Sequence, residues 1–432
     1  MRLTYRRTII TLLLFVIFSI AVSCSAQNEK QSQSDNGASG TTDDALLSGS
    51  WEQVLSAARG GTVNWYMWGG SEAINTFVDQ KYGSVLKEQY GITLRRVPVS
   101  DTAEAVTKVL NEKQAGKHSN GSVDLIWING ENFATLKQGD ALFGPFADKL
   151  PHSAYVDYSN PVVGRDFGLD TNGYESVWGS AQFQLVYDAD RLQESELPRS
   201  YAELKDWIKQ HPGRFTYNAP PDFIGTRFVK QLFYELTGGY EGWEQPFDQA
   251  VFETESSKVW DYLNEIKPYL WRNGDTYPKS IAELNRLFNN NEIDFTFTQE
   301  IGGIASDINR GILPETAAPY VFDTGTIGDY HYVAIPYNAA NKAAAMVVAN
   351  LILEPGLQFQ KASAASGWGD GLGIDPARLT GDLKKQYDEI SEEQGQTAVP
   401  ADVLLKFKLP DLAAAYTPAL EEGWKTHVLF QK

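Results

Sequence analysis

Segments with two kinds of hydrophobic periodicity alternate along the chain from Trp51 onward. Short runs that are continuously apolar, or apolar at every second position, predict strands, and apolar residues three and four positions apart predict helices. The predicted strands are 62–68, 92–99, 123–128, 183–187, 215–217, 292–298 and 332–335. The predicted helices are 72–90, 103–114, 132–138, 201–210, 225–236, 258–270, 281–289 and 342–353. This alternation predicts parallel sheets covered by helices, which is an α/β fold.

The order of the elements predicts two lobes. The first lobe would comprise residues 51–180 together with a late return over 331–432, which also carries the carboxyl-terminal helices. The second lobe would comprise residues 181–330. The length of 432 residues agrees with this, since domains commonly span about 100–200 residues.

The amino terminus has the three parts of an export signal. Residues 1–23 combine a basic start, an apolar run and small residues before Cys24. The apolar run is shorter than the about 20 residues that a transmembrane helix needs. Cys24 is the only cysteine of the chain, and its position resembles the lipobox of bacterial lipoproteins, in which the cysteine is lipidated and becomes the first mature residue. Cleavage after Ala26, which would release a soluble secreted protein, is the alternative.

Residues 24–50 consist of this cysteine and a flexible tether rich in Ser, Gln, Asn and Gly. Removal of residues 1–23 deletes three arginines and no acidic residue, so the net charge changes from −18 to −21. Such an acidic protein is not a nucleic-acid binder, which would need a basic face. A single cysteine also excludes an intramolecular disulfide and a cysteine-rich metal site.

Six segments of the body resemble the bacterial solute-binding proteins of ABC importers. They are 65–70 (WYMWGG), 124–133 (DLIWINGENF), 178–187 (WGSAQFQLVY), 197–204 (LPRSYAEL), 291–295 (NEIDF) and 334–350 (AIPYNAANKAAAMVVAN). The last segment is similar to the late strand and helix of the group that includes iron, thiamine and polyamine binders, and the first two resemble the YnjB-like subgroup. The resemblance extends from about residue 60 to the carboxyl end.

This resemblance implies a type II periplasmic-binding-protein-like fold, in which crossing hinge segments join two lobes around a ligand cleft. It implies a non-enzymatic protein that captures a small solute in the cleft and delivers it to an ABC permease and its ATPase. We therefore expect an exported monomer without cofactor or metal. We expect it in the periplasm or at the cell surface, attached to a membrane through a lipid on Cys24.

Candidate ligand contacts follow from the rule that open α/β sheets bind ligands beyond the carboxyl ends of their strands. In the first lobe, the candidates lie in polar, glycine-containing turns that follow two strands. In the second lobe, they lie at a helix start, at a strand end and in the crossing segment. The candidates are Trp68, Gly69, Gly70, Trp127, Asn129, Gly130, Glu131, Ser180, Gln182, Thr226, Arg227, Thr298, Gln299 and Glu300. Ordinary turn chemistry, core packing of the tryptophans and helix capping by Thr226 are the alternatives.

Aromatic and carboxylate side chains among these candidates favour a cationic or nitrogen-containing organic solute. Aromatic rings would equally stack on a sugar, and Arg227 at a helix start would suit an anion. Asp329 and Tyr330 are weaker candidates in a predicted loop, and residues 368–371 are predicted to form a surface turn.

An exported glycosidase-like hydrolase acting on a carbohydrate is the alternative function. The sequence has no G-x-S-x-G elbow, no H-E-x-x-H motif and no P-loop. Its five histidines are scattered, which predicts surface or loop positions for each. Paired carboxylates for glycoside hydrolysis stay open, because 55 acidic residues supply many chance pairs.

Overall fold

A computed structural model describes residues 43–245 and 247–431, so the export signal, Cys24 and most of the predicted tether lie outside the described residues. The strands are β1 (Thr62–Trp68), β2 (Thr93–Val99), β3 (Leu125–Ile128), β4 (Arg165–Asp166), β5 (Leu169–Asp170), β6 (Glu175–Gln182), β7 (Gln184–Asp188), β8 (Phe295–Thr298), β9 (Ala317–Tyr320), β10 (Thr326–Ala334) and β11 (Lys408–Leu409). The α-helices are α1 (Asp43–Ser48), α2 (Trp51–Ala58), α3 (Glu72–Phe77), α4 (Gly83–Val85), α5 (Thr102–Gln114), α6 (Glu131–Gln138), α7 (Pro161–Gly164), α8 (Tyr201–Gln210), α9 (Phe223–Leu236), α10 (Gln249–Ile266), α11 (Ile281–Asn289), α12 (Gly303–Asn309), α13 (Lys342–Leu351), α14 (Pro355–Ala362), α15 (Gly381–Gln394), α16 (Ala401–Phe407) and α17 (Tyr416–Trp424).

The first sheet is mixed and has the strand order β11-β10-β3-β1-β2, with β6 also paired to β10. β1 runs parallel to both β2 and β3, as the alternation of strands and helices predicts. β10 runs antiparallel to β3 and β6. Val63, Trp65 and Met67 alternate along β1 and are fully buried, because successive side chains of a strand point to opposite faces.

The second sheet has the order β8-β7-β9 and is antiparallel throughout. This differs from the parallel pairing that the sequence pattern predicts. The reason is the direction of the chain: β7 leaves the first sheet, while β8 and β9 both run back toward it. Residues 215–217, predicted as a strand, form no strand and lie in a buried extended loop.

Two neighbouring connections join the sheets. β6 continues into β7 through Phe183, and the chain returns from β9 to β10 a few residues later. The N–H of Phe183 donates to the carbonyl of Ile327 at 2.9 Å, and the N–H of Gln182 donates to the carbonyl of Gln299 at 3.0 Å. The crossing strands β6 and β10 are therefore hydrogen-bonded to each other and to the edge of the second sheet.

Each sheet has its own large hydrophobic cluster. The first cluster contains Trp65 of β1 and the buried face of α13, and the second surrounds β7, β8 and α9. Leu420 and Trp424 of α17 belong to the second cluster, so the end of the chain packs on the second sheet. The lobe boundaries stay a prediction. Within the described residues, no helix combines the length and apolar character needed to cross a bilayer.

Candidate functional site

The loop after β1 presents an exposed aromatic ring. Trp68 is 43% exposed, and its indole lies over Gly70, where a methyl group would stand 2.2 Å from Cζ2 of the ring. Gly69 lies close against Pro98, and Ser71 accepts a hydrogen bond from the first turn of α3. The absence of a side chain at Gly70 thus allows Trp68 to keep this position.

A second turn, after β3, depends on another glycine. Gly130 adopts φ 61° and ψ −130°, a conformation that residues with a Cβ rarely accept. Its N–H donates to Oδ2 of Asp166 at 2.6 Å, and the ring of Phe167 packs against it. Asn129 is half-buried beside it, and Glu131 is exposed at the first position of α6. This turn places a carboxylate at the edge of the first sheet.

The start of α9 faces the same region from the second sheet. Asp222 caps this helix by accepting hydrogen bonds from the N–H groups of Ile224 and Gly225, both at 3.1 Å. The helix therefore begins at Phe223, two residues earlier than predicted, and Thr226 is not its cap. Because Asp222 already occupies these N–H groups, they are not free to hold an anion. Phe223 is 51% exposed.

Arg227 is buried and fully engaged. It is 1% exposed, and its Nη1 donates to Oε1 of Gln299 at 2.6 Å and to Oδ1 of Asp329 at 2.9 Å. Its Nη2 donates to Oδ2 of Asp411 at 2.8 Å, and Lys230 donates to the other oxygen of Asp411 at 2.9 Å. Burial raises the pKa of Asp329, but the charge of Arg227 outweighs it and lowers that pKa below its ordinary value. Two cations therefore offset two carboxylates in this network.

Acidic groups next to this network have no such partner. Glu131 of the first sheet and Glu421 of α17 form no salt bridge among the described residues. Burial raises the pKa of Glu421, and the charge of Glu131 raises it further. The hydroxyl of Thr226, which donates to Glu421 at 2.9 Å, and the charge of Lys230 act in the opposite direction. The charge of Glu131 on α6 therefore acts on the carboxyl group of Glu421 on α17.

The crossing candidates are committed to contacts inside the protein. Oγ of Ser180 donates to the carbonyl of Leu372 at 2.9 Å. Nε2 of Gln182 donates to Oγ1 of Thr326 at 2.8 Å and to the carbonyl of Leu404 at 2.9 Å. Thr298 accepts a hydrogen bond from the N–H of Glu300 and so shapes the turn after β8. These contacts position the crossing rather than leave polar groups free.

Trp127 belongs to a cluster of aromatic rings between β3 and β6. Its ring centroid lies 4.9 Å from that of Trp178 and 5.5 Å from that of His331, in edge-on geometry. Trp178 in turn packs edge-on against Trp65 and Trp368, at 5.0 and 5.3 Å. Trp127 is half-buried and the other three tryptophans are buried. Core packing, one of the two alternatives for Trp127, accounts for most of its ring contacts.

Two surface predictions are wrong in this region. Nε2 of His331 contacts Oδ1 of Asp370 at 3.0 Å, and Lys361 donates to Oδ2 of Asp370 at 2.6 Å. The loop 368–371 is buried rather than a surface turn, because Gly371 lets the backbone pass close to Ser180 of the crossing strand β6 and Gly369 lets it pass close to Gly302. His331 is likewise packed inside, since its charge partner comes from this loop.

Glu300 lies beside this cluster with one carboxylate oxygen, Oε2, buried and without a hydrogen-bond partner in the described part of the chain. Burial raises its pKa to about 8, and the charge of Asp370 acts in the same direction, whereas His331 and Lys361 oppose the shift. Burial lowers the pKa of His331, but Asp370 reverses the effect and raises it overall. Glu300 is therefore a carboxyl group that holds its proton more strongly than an exposed glutamate.

Sequence reasoning missed five residues of the region between the sheets. They are Phe167, Phe223, Lys230, Asp411 and Glu421. Lys230 lies three residues after Arg227 on α9, so helical spacing gave a signal for it. Phe167 and Asp411 come from a short hairpin and a late loop, which carry no periodic signal. Within residues 43–245 and 247–431, no three His, Cys, Asp or Glu side chains are placed to hold a metal ion.

Comparison with known structures identifies the fold. The spermidine/putrescine ABC transporter substrate-binding protein PotD of Streptococcus pneumoniae matches with a TM-score of 0.60 at 14% identity, over 85% of this chain and 99% of that chain. The periplasmic binding protein AfuA of Actinobacillus pleuropneumoniae, solved with fructose-6-phosphate, matches with a TM-score of 0.53 at 14% identity, over 86% and 99%. The fold is the two-lobe, type II periplasmic-binding-protein fold, as predicted.

Sequence comparison identifies the family. A profile of the family described as bacterial extracellular solute-binding protein matches residues 80–370. Protein YnjB of Escherichia coli (strain K12) is 37% identical over 374 residues, which are 87% of this chain and 92% of that protein. The chain belongs to the bacterial extracellular solute-binding proteins. It is a solute-binding component of an ABC transport system, which confirms the prediction over the hydrolase alternative.

Proposed function

We propose that this protein captures a small cationic or nitrogen-containing organic solute between its two sheets and delivers it to an ABC permease and its ATPase. The observation that carries this proposal is the charge state of the region between the sheets. Arg227 and Lys230 are already paired with carboxylates, whereas Glu131 and Glu421 form no salt bridge among the described residues.

Aromatic groups complement these carboxylates. Trp68, at the end of β1 in the first sheet, and Phe223, at the start of α9, belong to the small set of strongly exposed large hydrophobic residues. An aromatic ring attracts a cation to its face, and the attraction is worth about 0.5–2 kcal/mol depending on desolvation. Aromatic faces combined with unpaired carboxylates are the surroundings that a desolvated ammonium or a heteroaromatic cation requires.

The relatives of the chain show why its own side chains must decide the ligand. PotD is by name a spermidine and putrescine protein, whereas AfuA was solved with a sugar phosphate. The same fold therefore accommodates solutes of opposite charge. Arg227 and Lys230, two of the cations in this region, are both held by Asp411 and so do not offer a free charge to an anion.

Within this proposal the two glycine turns are the first-sheet contacts. Gly70 holds the Trp68 ring exposed, and Gly130 with Glu131 offers a carboxylate at the start of α6. Gln299 contributes indirectly by binding Arg227. The protein acts without catalysis and as a monomer. It is attached to a membrane by a lipid on Cys24, and the tether leaves the body free to meet the permease.

A thermal-shift panel on the purified protein tests the solute class. Spermidine, putrescine and thiamine are compared with glucose, fructose 6-phosphate, sulfate and divalent metal ions. A bound solute raises the melting temperature, since ligand at about 100 times Kd stabilises by about 2.7 kcal/mol. We expect stabilisation by at least one organic cation and none by the anions. Stabilisation by fructose 6-phosphate but by no cation would overturn the proposed solute class, and hydrolysis of a panel compound without saturable binding would overturn the function.

A further inference from the structure

Two carboxyl groups lie buried directly behind the Gly130 turn. Asp166 ends β4 and Glu175 begins β6, and both are at most 2% exposed. Neither forms a salt bridge with a lysine or arginine in the described part of the chain. Lys137 is the cation whose charge acts on Glu175, but its ammonium donates to the backbone carbonyl of Asp170 instead.

Three of the four oxygens of this pair lack a partner. Oδ1 of Asp166 and both oxygens of Glu175 are buried without a hydrogen bond among the described residues. The remaining oxygen, Oδ2 of Asp166, accepts the N–H of Gly130 at 2.6 Å. Ionisation of a carboxyl group in such surroundings costs free energy, so the group retains a proton instead.

Charged and titratable groups from several elements surround the pair. They are Glu131 and Lys137 of α6, Asp329 and Tyr332 of β10, Asp411 before α17, and Tyr158. Burial raises the pKa of Asp166 well above its ordinary value, and the charges of Asp329 and Asp411 raise it further, although the Gly130 hydrogen bond lowers it. Burial and the proximity of Asp166 raise the pKa of Glu175, which Lys137 only partly opposes.

The same segment also fixes the shape of the turn. Phe167, which follows Asp166, has a positive φ of 44°, and its ring packs against Gly130. The ammonium of Lys230 lies 4.8 Å from the centroid of that ring on the side of the second sheet. Residues 166–167 therefore contact the amide of Gly130, its α-carbon and a charged residue of α9.

We propose that Asp166 and Glu175 form a buried carboxyl pair that retains a proton at neutral pH and positions the Gly130 amide and the turn around it for solute binding. The pair consists of positioning residues, and its effect on affinity rests on the proposed function of that turn. When the second proton leaves, two adjacent buried carboxylates repel each other, and β4 moves away from β6 together with Gly130. Solute affinity then falls as the pH rises.

The first test needs no solute. Protein labelled with carbonyl-¹³C asparagine and ¹⁵N glycine shows amide signals only from its five Asn-Gly pairs, which include Asn129-Gly130. We expect the Gly130 amide signal to shift in a sigmoidal step at a pH well above the range in which exposed Asp and Glu side chains titrate. Glu175→Gln cannot ionise and so removes the repulsion within the pair, which should move that step to a lower pH. A Gly130 signal independent of pH, or the same step in Glu175→Gln, would overturn the proposal.

The second test measures affinity by calorimetry with thiamine, whose ring carries a permanent positive charge. We expect affinity of the natural sequence to fall about tenfold as the pH rises through the step seen in the amide titration, and that of Glu175→Gln to change less than about twofold over the same range. Exposed Glu315→Gln serves as the charge-matched control and should follow the natural sequence. Equal pH dependence of all three proteins would contradict the coupling. If thiamine does not bind, the amide titration still tests whether the carboxyl pair retains a proton. A failure of the proposed solute class is thereby distinguished from a failure of the proposed pair.

Discussion

Nη2 of Arg227 lies 2.8 Å from Oδ2 of Asp411, and the two buried side chains are 184 residues apart in the chain. Asp329 of the crossing strand β10 shares the same guanidinium. This arrangement ties α9, the crossing and the loop before α17 together. It also removes from the binding region the one arginine that the sequence offered as an anion contact.

We expect Arg227→Met to lower the free energy of unfolding by about 3–5 kcal/mol, because the buried carboxylate of Asp329 loses its partner and Asp411 keeps only Lys230. Chemical denaturation measures this loss. Arg378→Met is the control: Arg378 pairs with Asp157 at 3.0 Å at the surface, and its loss should cost less than about 1 kcal/mol. Equal effects of the two substitutions would show that the Arg227 network contributes no more than a surface pair.

We expect Gly70→Ala to displace the Trp68 ring and weaken solute binding while leaving the fold intact. The added methyl group would stand 2.2 Å from Cζ2 of Trp68, and the exposed ring can move away at little cost to stability. Fluorine NMR of 5-fluorotryptophan-labelled protein, with Trp68→Phe to assign the signal, measures the displacement. Gly242→Ala is the control, since a Cβ there meets nothing within 4 Å. An unmoved Trp68 signal in Gly70→Ala would contradict the packing described above.

We expect stability to decrease between about pH 5 and pH 8, in part because of Glu300. Its folded-state pKa is about 8 and lies above the ordinary value of 4.5, so in this window the folded protein binds more protons than the unfolded chain. Each such group costs up to about 1.4 kcal/mol per pH unit as the pH rises. The raised pKa of His331 adds loss in the same direction as the pH rises above its ordinary value of 6.5.

Glu300→Gln should therefore flatten the decline of melting temperature with pH and stabilise the protein at about pH 8. Melting curves at several pH values measure this effect. Exposed Glu315→Gln corrects for the loss of one formal charge. A Glu300→Gln protein with the same slope as the natural sequence would show that Glu300 ionises as freely in the folded protein as in the unfolded chain.

Much of the fold was predictable from periodicity. β1 occupies residues 62–68 as predicted, and α11 occupies 281–289, because alternation and helical spacing are local properties. Strand direction in the second sheet was not predictable, since pairing between β7 and β8 depends on contacts over more than a hundred residues. Residues 215–217 have strand-like composition but no neighbouring strand to pair with.

The candidate site was predictable only in part. Gly70 and Gly130 were predictable because each follows an apolar strand, and in the structure an aromatic ring packs against each of them. Residues 368–371 were predicted at the surface because of their polar composition. His331 was predicted there because no other histidine lies near it in the sequence. Their burial depends on Lys361, whose proximity to Asp370 arises only in the folded chain.

We expect Cys24→Ala to abolish membrane attachment without unfolding the body, because the lipid is proposed as the sole anchor. Membrane fractionation and incorporation of labelled fatty acid in the bacterial host measure the loss. Cys24→Ala should behave as a secreted protein with an unchanged melting temperature. Undiminished membrane fractionation of the variant would contradict the lipid anchor, and recovery of the natural sequence in the soluble fraction without lipid would favour cleavage after Ala26.

Titration calorimetry with the organic cation that most stabilises the protein tests the central claim most directly. We expect one solute per chain, with affinity reduced about tenfold or more in Glu131→Gln and in Phe223→Ala. Glu253→Gln, an exposed change on α10, should leave affinity unchanged. Saturable binding that neither Glu131→Gln nor Phe223→Ala weakens would contradict a cation site between the two sheets.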